Sequence, residues 1–294
     1  MTTIATPPPV NPPPQLSSGG RTAFRVTVIA AAVLLIAGTA AALGAAAWAV
    51  SNVRVVTDHR ALPATMQSLV IDTARIPVAI RISADRETHS ATADLRLVNT
   101  ARSGEHRLQV VTEGDETRIQ IEGKPSPMLE WARGGEITIA LPPEQARRLS
   151  VHTEQEIGAL FSFADVDELI ARTDDGAIIL GGAARRVEIH TVNGEIVSRA
   201  PIAVTEQFSA TTSDGDITVD FRDTAPRRVD AVSRNGDVVI GLPERGPYLV
   251  HAQSDSSTQV RVSETTDAAR AVAEVTARSN DGDVVVQRVN PAEN

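Results

Sequence analysis

Phe208-Ser-Ala-Thr-Thr-Ser-Asp-Gly-Asp-Ile-Thr-Val219 and Val229-Asp-Ala-Val-Ser-Arg-Asn-Gly-Asp-Val-Val-Ile240 are two copies of one pattern. The pattern reads apolar-x-small/apolar-x-Ser/Thr, then a turn built on Asp/Asn-Gly, then Ile/Val-x-apolar. Seven copies run through residues 149–286, with first apolar positions at Leu149, Leu169, Val187, Phe208, Val229, Val250 and Val275. Their spacings are 20, 18, 21, 21, 21 and 25 residues. A repeat of this length specifies stacked β-structure: equivalent positions bury one continuous core, and loops of variable length are absorbed outside it.

Each position has a chemical reason. Val229 and Ala231 alternate with Asp230 and Val232, so one face of the strand is apolar, and Ile217, Val219 and Phe221 do the same after a turn. The turn residues are Asp175-Gly176, Asn193-Gly194, Asp214-Gly215, Asn235-Gly236 and Asp281-Gly282. Glycine permits positive φ there, and Asp or Asn before it bonds its own backbone. The copies at Leu149 and Val250 are read as having lost the turn glycine, with Glu154–Gly158 and Ser254-Asp-Ser-Ser257 as their degenerate turns. Two all-β folds fit. In a β-solenoid each copy is one coil and equivalent positions stack about 4.8 Å apart. In an antiparallel hairpin meander or sandwich, Asn235-Gly236 is a two-residue hairpin loop. Equal spacing is a requirement of stacking and not of hairpins, which favours the solenoid.

Outward from the repeat, residues 69–148 form an N-terminal β region. Its strand candidates are Leu69–Ile71, Val78–Ile82, Ala93–Val98, Arg107–Val111, Arg118–Ile121 and Glu136–Leu141, with a hairpin turn over Thr112–Thr117. Residues 51–68 read as a linker and 289–294 as a short tail. Val26–Val50 lacks any charge; as a helix it reaches about 37 Å, enough to cross a ~30 Å hydrocarbon core with tilt. Residues 25–50 are therefore expected to form a transmembrane helix in contact with the lipid bilayer. A cleaved signal sequence is the rival, with Ala45-Ala46-Ala47 near a possible cleavage point. Residues 1–24 form a tail whose run Pro7–Pro14 excludes helix and interior strand and reads as disordered spacer. Arg21 and Arg25 before the span balance Arg54 and Arg60 after it, so charge alone leaves the orientation tied.

The chain of 294 residues carries a net charge of −9, and its first acid is Asp58. The part beyond the span has no electrostatic reason to bind nucleic acid. Aromatics make up 3% and cysteine is absent. The core must therefore be aliphatic, and disulfides, Cys-based metal sites and thiol catalysis are excluded.

The Ser/Thr-x-Asp/Asn-Gly-Asp-Ile/Val run, recurring behind an N-terminal apolar segment, resembles the bacterial putative-adhesin β-strand-repeat family, a domain of unknown function. The resemblance covers roughly residues 70–288 and rests on the number and spacing of short motifs. It implies a membrane-anchored or exported solenoid, resolves the orientation toward an extracytoplasmic C-terminal domain, and brings no catalytic residues. The function it implies is a non-enzymatic adhesive or structural module of the cell envelope, binding an envelope protein or a cell-wall glycan. Glu244–Pro247 and Thr265–Ala271 are the candidate contact loops. An envelope-stress accessory working through a membrane partner, or a polysaccharide-acting enzyme, are the other readings.

Three candidate sites stand beside simple turn chemistry. A column of Asp175, Asn193, Asp214, Asn235 and Asp281 would supply some of the six to eight oxygens calcium needs. Asp216, Asp237 and Asp283, or Asp220 with Asp230, would supply carboxylates to a glycan-cleaving groove. His59, His89, His106, His152, His190 and His251 lack any zinc-ligand spacing. Turn and surface roles explain all of them, and no catalytic residue, metal or cofactor is expected.

Overall fold

The computed structural model describes residues 18–51, 53–100, 107–122 and 135–289. The chain divides into two units, Met1–Val53 and Arg54–Asn294. Within the first, helix α1 (Ser18–Ser51) starts before residue 25, so the second part of the expected tail is helical. The proline run lies outside the described residues. Val26–Gly44, 19 residues with mean hydropathy 2.4, is long and apolar enough to cross a membrane, and none of it is buried.

The second unit is a β-solenoid. Its strands are β1 (Val53–Ala61), β2 (Ser68–Ala74), β3 (Val78–Ala84), β4 (Thr92–Thr100), β5 (Arg107–Glu113), β6 (Glu116–Glu122) and β7 (Gly135–Leu141). After one helical turn, α2 (Pro143–Ala146), come β8 (Ser150–Ser162), β9 (Val166–Asp175), β10 (Ile178–Leu180), β11 (Ala183–Asn193), β12 (Ile196–Ser198) and β13 (Ala203–Asp214). The chain ends with β14 (Ile217–Asp220), β15 (Arg228–Asn235), β16 (Val238–Leu242), β17 (Tyr248–Ser254), β18 (Thr258–Arg261), β19 (Ala273–Asp281) and β20 (Val284–Arg288). Each coil places one strand on a first face and the next on a second face. β11 pairs in parallel with β9 and β13, and β12 with β10 and β14. Parallel pairing overturns the hairpin meander, since an Asn-Gly hairpin joins antiparallel neighbours.

The register follows the repeat. Leu169, Val187, Phe208, Val229 and Val275 stand in one column, and Ala171, Ile189, Ala210, Ala231 and Ala277 in the next. Both columns are buried. Ile178, Ile196, Ile217, Val238 and Val284 face them from the second face. Small alanines opposite larger aliphatics let the layers interdigitate without aromatic bulk. The exception is the coil of Phe208 and Phe221, whose rings meet edge to face at 5.3 Å.

Two expectations need correction, the start of the first copy and the linker, and the stacking order is a finding of the structure. The first copy starts at Val151, which pairs with Leu169, and not at Leu149. The copies do not stack in chain order: β19/β20 pairs with β15/β16, and the copy at Val250, β17/β18, lies outside β19/β20. Residues 51–68 are not a linker, because β1 pairs with β4, Asp58 accepts the Leu108 amide at 2.9 Å, and Leu62 and Met66 are buried.

The solenoid also extends past the repeat. β2/β3 pairs in parallel with both halves of β8, and β6/β7 lies outside β2/β3. Nine coils thus stack over about 38 Å, taking the ordinary strand spacing. Antiparallel β4 on β7 and β5 on β6 close the N-terminal end. The β5–β6 hairpin turns at Gly114, inside the expected Thr112–Thr117 segment.

Candidate functional site

The turn between the two faces gathers most of the polar residues singled out in the sequence. Asp175, Asn193, Asp214, Asn235 and Asp281 stand in one column. Acid and amide alternate along it. Asn193 Nδ2 donates to Asp175 Oδ1 at 2.9 Å, and Asn235 Nδ2 to Asp214 Oδ1 at 2.5 Å. Alternation keeps carboxylates on adjacent coils apart and makes each amide a bridge.

The glycines beside them stack as well. Gly176, Gly194, Gly215 and Gly236 donate their amides to the carbonyls of Asn193, Asp214, Asn235 and Asp281. A Cβ on Gly176, Gly194, Gly215, Gly236 or Gly282 would lie 1.6–2.2 Å from the carbonyl oxygen of the preceding glycine in the column. Backbone proximity therefore demands glycine here. Gly158 begins this column, although no Asp or Asn precedes it.

A third column holds Glu195, Asp216, Asp237 and Asp283, set by amides that donate to successive carbonyls of this row. Here acids do follow one another. Asp216 Oδ1 accepts the Asp237 amide and Asp237 Oδ1 the Asp283 amide, both at 2.8 Å. Charge-assisted bonds to backbone amides offset the repulsion. The structure does bring Asp216, Asp237 and Asp283 into line, and it gives Asp216 and Asp237 a bond to the next coil. Asp220 and Asp230 lie on opposite faces.

Inside the turn runs a row of hydroxyls, buried at Thr212, Ser233 and Ser279 and partly buried at Ser254. Thr212, Ser233, Ser279 and Ser254 donate to the carbonyls of Gly194, Gly215, Gly236 and Gly282 at 3.3, 2.9, 2.7 and 2.6 Å. Toward the N-terminal end the row continues as Thr191, Thr173 and Gln155, whose buried side-chain atoms have no hydrogen-bond partner; Thr73 Oγ1 is likewise unpartnered. The sequence pattern marks this row as Ser/Thr but does not show that only its C-terminal half is satisfied.

The opposite turn is held by an ion-pair ladder that sequence reading missed. Arg185 binds Asp167 through two bonds at 3.0 and 2.8 Å and Glu206 at 2.9 Å. The hydrogen bond from Arg185 holds the Asp167 carboxyl below its ordinary value, and the same bond pushes the guanidinium up. Acids and an arginine spaced one coil apart were the available signal.

The two outer faces differ in character. The first presents alternating charges, such as Glu168 and Arg186, and Arg228 and Glu274. The second presents a column of Phe161, Ile179, Val197, Thr218, Val239 and Val285, with Arg81 over the Phe161 ring at 4.8 Å. A groove of about 450 Å³ on the first face is bordered by Asp72, Glu154, Glu156, Arg172, Asp174 and His190. A trough of about 610 Å³ at the turn is lined by Pro77, Ala79, Ala159, Ala177, Gly158 and Gly176 among others. Among the described residues no group of three His, Asp or Glu side chains is placed to hold a metal ion. His152, His190 and His251 stand on the first face in different coils and do not converge. His106 lies outside the described residues.

The two candidate contact loops, by contrast, do converge. The Tyr248 amide donates to Ser263 O at 2.8 Å, the Thr265 amide to Tyr248 O at 2.9 Å and the Val272 amide to Pro247 O at 2.9 Å. Glu244–Pro247 and Thr265–Ala271 are thus tied together around Tyr248. That side chain is buried and donates its hydroxyl to Pro243 O at 2.7 Å; burial pushes the phenol up.

Residues 164–287 match the family described as Toastrack DUF4097. In structure the chain is similar to a putative cell adhesion protein from Clostridium sporogenes, at 8% identity and a TM-score of 0.35, over 80% of this chain and 100% of that one. It is also similar to a putative adhesin from Bacteroides fragilis, at 12% identity and a TM-score of 0.40, over 80% of this chain and 97% of that one. No curated protein matches the chain. The family match falls on the repeat region, residues 164–287, and the matched family is a domain of unknown function.

Proposed function

We propose that this Toastrack β-repeat protein is a non-enzymatic, single-pass membrane protein. Its solenoid is displayed outside the cytoplasmic membrane as an adhesive or structural module for an envelope protein or cell-wall glycan. The observation that supports it most is the use made of the turn residues. The stacked Asp, Asn, Ser and Thr side chains bond largely to one another and to the next coil's backbone. They build a scaffold, and the surface left to carry specificity is the loop pair around Tyr248. The fully exposed apolar helix Val26–Gly44 supplies the anchor.

Two experiments test this. The chain has no cysteine, so Asp255→Cys gives a single thiol. An impermeant maleimide should label it on intact cells; labelling only after lysis refutes the display. Replacing Glu244–Pro247 and Thr265–Ala271 with Gly-Ser segments of equal length should abolish retention of the full chain on purified cell envelopes with the melting curve nearly unchanged. Full retention would remove the loops as the binding surface.

A further inference from the structure

The two ends of the stack are finished differently. At the N-terminal end, antiparallel β4 and β5 cover the last coil. At the C-terminal end, β17 pairs with β19 and β18 with β20. Beyond the single bridge of Tyr248 to Glu264, no strand lies on their outer side among the described residues. Val250, Ala252, Val260 and Val262 face the core level of this last coil and stay only partly buried, whereas Val229, Ala231 and Ile240 in an interior coil are fully buried. An aliphatic layer and two strand edges are left without a partner.

Natural edge strands carry devices against pairing, such as charged side chains, proline or inward charge. Tyr248–Ser254 and Thr258–Arg261 carry no lysine, proline or inward charge, and their one charged side chain is the exposed Arg261 at the end of the short β18. In a chain of net charge −9, Tyr248–Ser254 is also, among the described residues, the one strand of the first face with no carboxylate. Every other strand there carries at least one, from Asp72 in β2 and Glu116 in β6 to Asp230 in β15 and Glu274 in β19. Two identical surfaces can meet only where they do not repel themselves; the two strands carry no acid, and Asp255 in their turn and Glu264 beside Tyr248 stand at the ends of the edge.

We propose that the outer edge of β17 and β18 is a self-association surface on which a second copy of this chain docks tail to tail. Identical edges pair antiparallel about a two-fold axis. An axis through Ala252 and Val260 extends both faces at once; it sets Ala252 and Val260 each against its own counterpart and Val250 and Val262 opposite Ser254 and Thr258. It sets His251 opposite Gln253 and Gln259 opposite Arg261, with no like charges facing. The isologous contact closes as a dimer, because the N-terminal end presents different strands. This inference stands independently of where the domain is displayed and of what the loops bind.

The test uses the full chain in detergent and a register-specific disulfide. Chains carrying His251→Cys and chains carrying Gln253→Cys are oxidised separately and mixed. Only the opposed 251–253 pair has Cα atoms within disulfide reach; like residues are offset along the strands. The mixture should yield cross-linked dimer several-fold above either variant alone. Sedimentation of the unaltered chain should show a dimer that Gln253→Lys with Gln259→Lys returns to monomer. The proposal is overturned if the unaltered chain is monomeric. It is equally overturned if the three samples cross-link alike, as association through the helix alone would give, or if the lysine variant stays dimeric.

Discussion

Replacing Gly215 by alanine probes the closest contact in the fold. The new Cβ would sit 2.2 Å from Gly194 O, where ordinary contact needs 3.4–4 Å, so two coils must part by more than about 1 Å. Forcing extra volume into packed structure costs about 1–3 kcal/mol. The backbone stands at φ +148°, which an L side chain occupies at a further cost of about 1–3 kcal/mol. The bond from the Gly215 amide to Asn235 O, 2.8 Å, is placed at risk by the same displacement. The sum is about 2–6 kcal/mol, a large share of the ~5–15 kcal/mol that holds a typical domain. Gly114→Ala is the control. It stands at φ +61° at a hairpin tip with nothing within 4 Å, so only the backbone cost of about 1–2 kcal/mol applies. Urea unfolding followed by circular dichroism measures both, with coincidence of a second probe checking two-state behaviour in a repeat array. If Gly215→Ala costs no more than Gly114→Ala, close approach between coils is not what requires glycine, and the account of the column fails.

Three further outcomes follow from the polar rows. Ser233→Ala removes a buried bond of 2.9 Å to Gly215 O and should cost about 1–2 kcal/mol, whereas Thr191→Val removes a hydroxyl with no partner and should be neutral or stabilising; both are read from urea midpoints. Asn235→Asp breaks the bridge to Asp214 and puts three carboxylates in succession with Asp281, so stability at pH 7 should fall by about 1 kcal/mol and recover as the carboxylates protonate below about pH 4. Asp167 has its folded value held below the ordinary 3.8 by the Arg185 bond; its contribution is full above that value and is lost as pH falls through the lower folded one, so Asp167→Asn should flatten the acid limb of a pH–melting profile and leave the neutral region parallel.

The coil pattern was legible because every position in it answers to one physical demand. Alternating Val229 and Ala231 demand a buried face, and Asn235-Gly236 demands a tight turn. The starting residue of the first copy was not legible. Leu149, Val151 and Thr153 alternate equally well and are all buried, so a slip of two residues keeps every side chain on its own face. Gly158 escaped notice because Ile157 precedes it where the other coils have Asp or Asn. Leu69-Val-Ile-Asp-Thr73 followed by Val78-Ala-Ile80 has the same pattern as the repeat, and its glycine-free turn hid it. The Arg185 ladder needed a register before Asp167 and Glu206 could be seen as neighbours. The loop pair around Tyr248 was visible only as two separate segments, since no periodicity links residues that meet through irregular chain.

The reversed order of the last two copies has a different cause. All coils present the same columns, so the pattern fixes how any two of them pair and not which two are neighbours. Val229 finds the same partner set in Val250 as in Val275. The turns break this tie. A Cβ at each turn glycine would meet a carbonyl oxygen of the coil before it, and the column runs unbroken from Gly158 to Gly282 through Gly176, Gly194, Gly215 and Gly236. β2/β3 and β17/β18 flank that column, and both lack the glycine. In the outer coil, Ser254 pairs with Ser279 and Thr258 with Val284, so its turn is one residue shorter than the one it covers. Ser254 Oγ still donates to Gly282 O and accepts the Ser256 and Ser257 amides, closing the turn by side chain where the interior coils use backbone. The shorter turn, closed by Ser254, lets this coil stack on Gly282 without a glycine of its own. Loss of the turn glycine in a copy is therefore a mark of position at the border of the glycine column. That mark separates Val250 from Val275 although the core pattern treats them as equal.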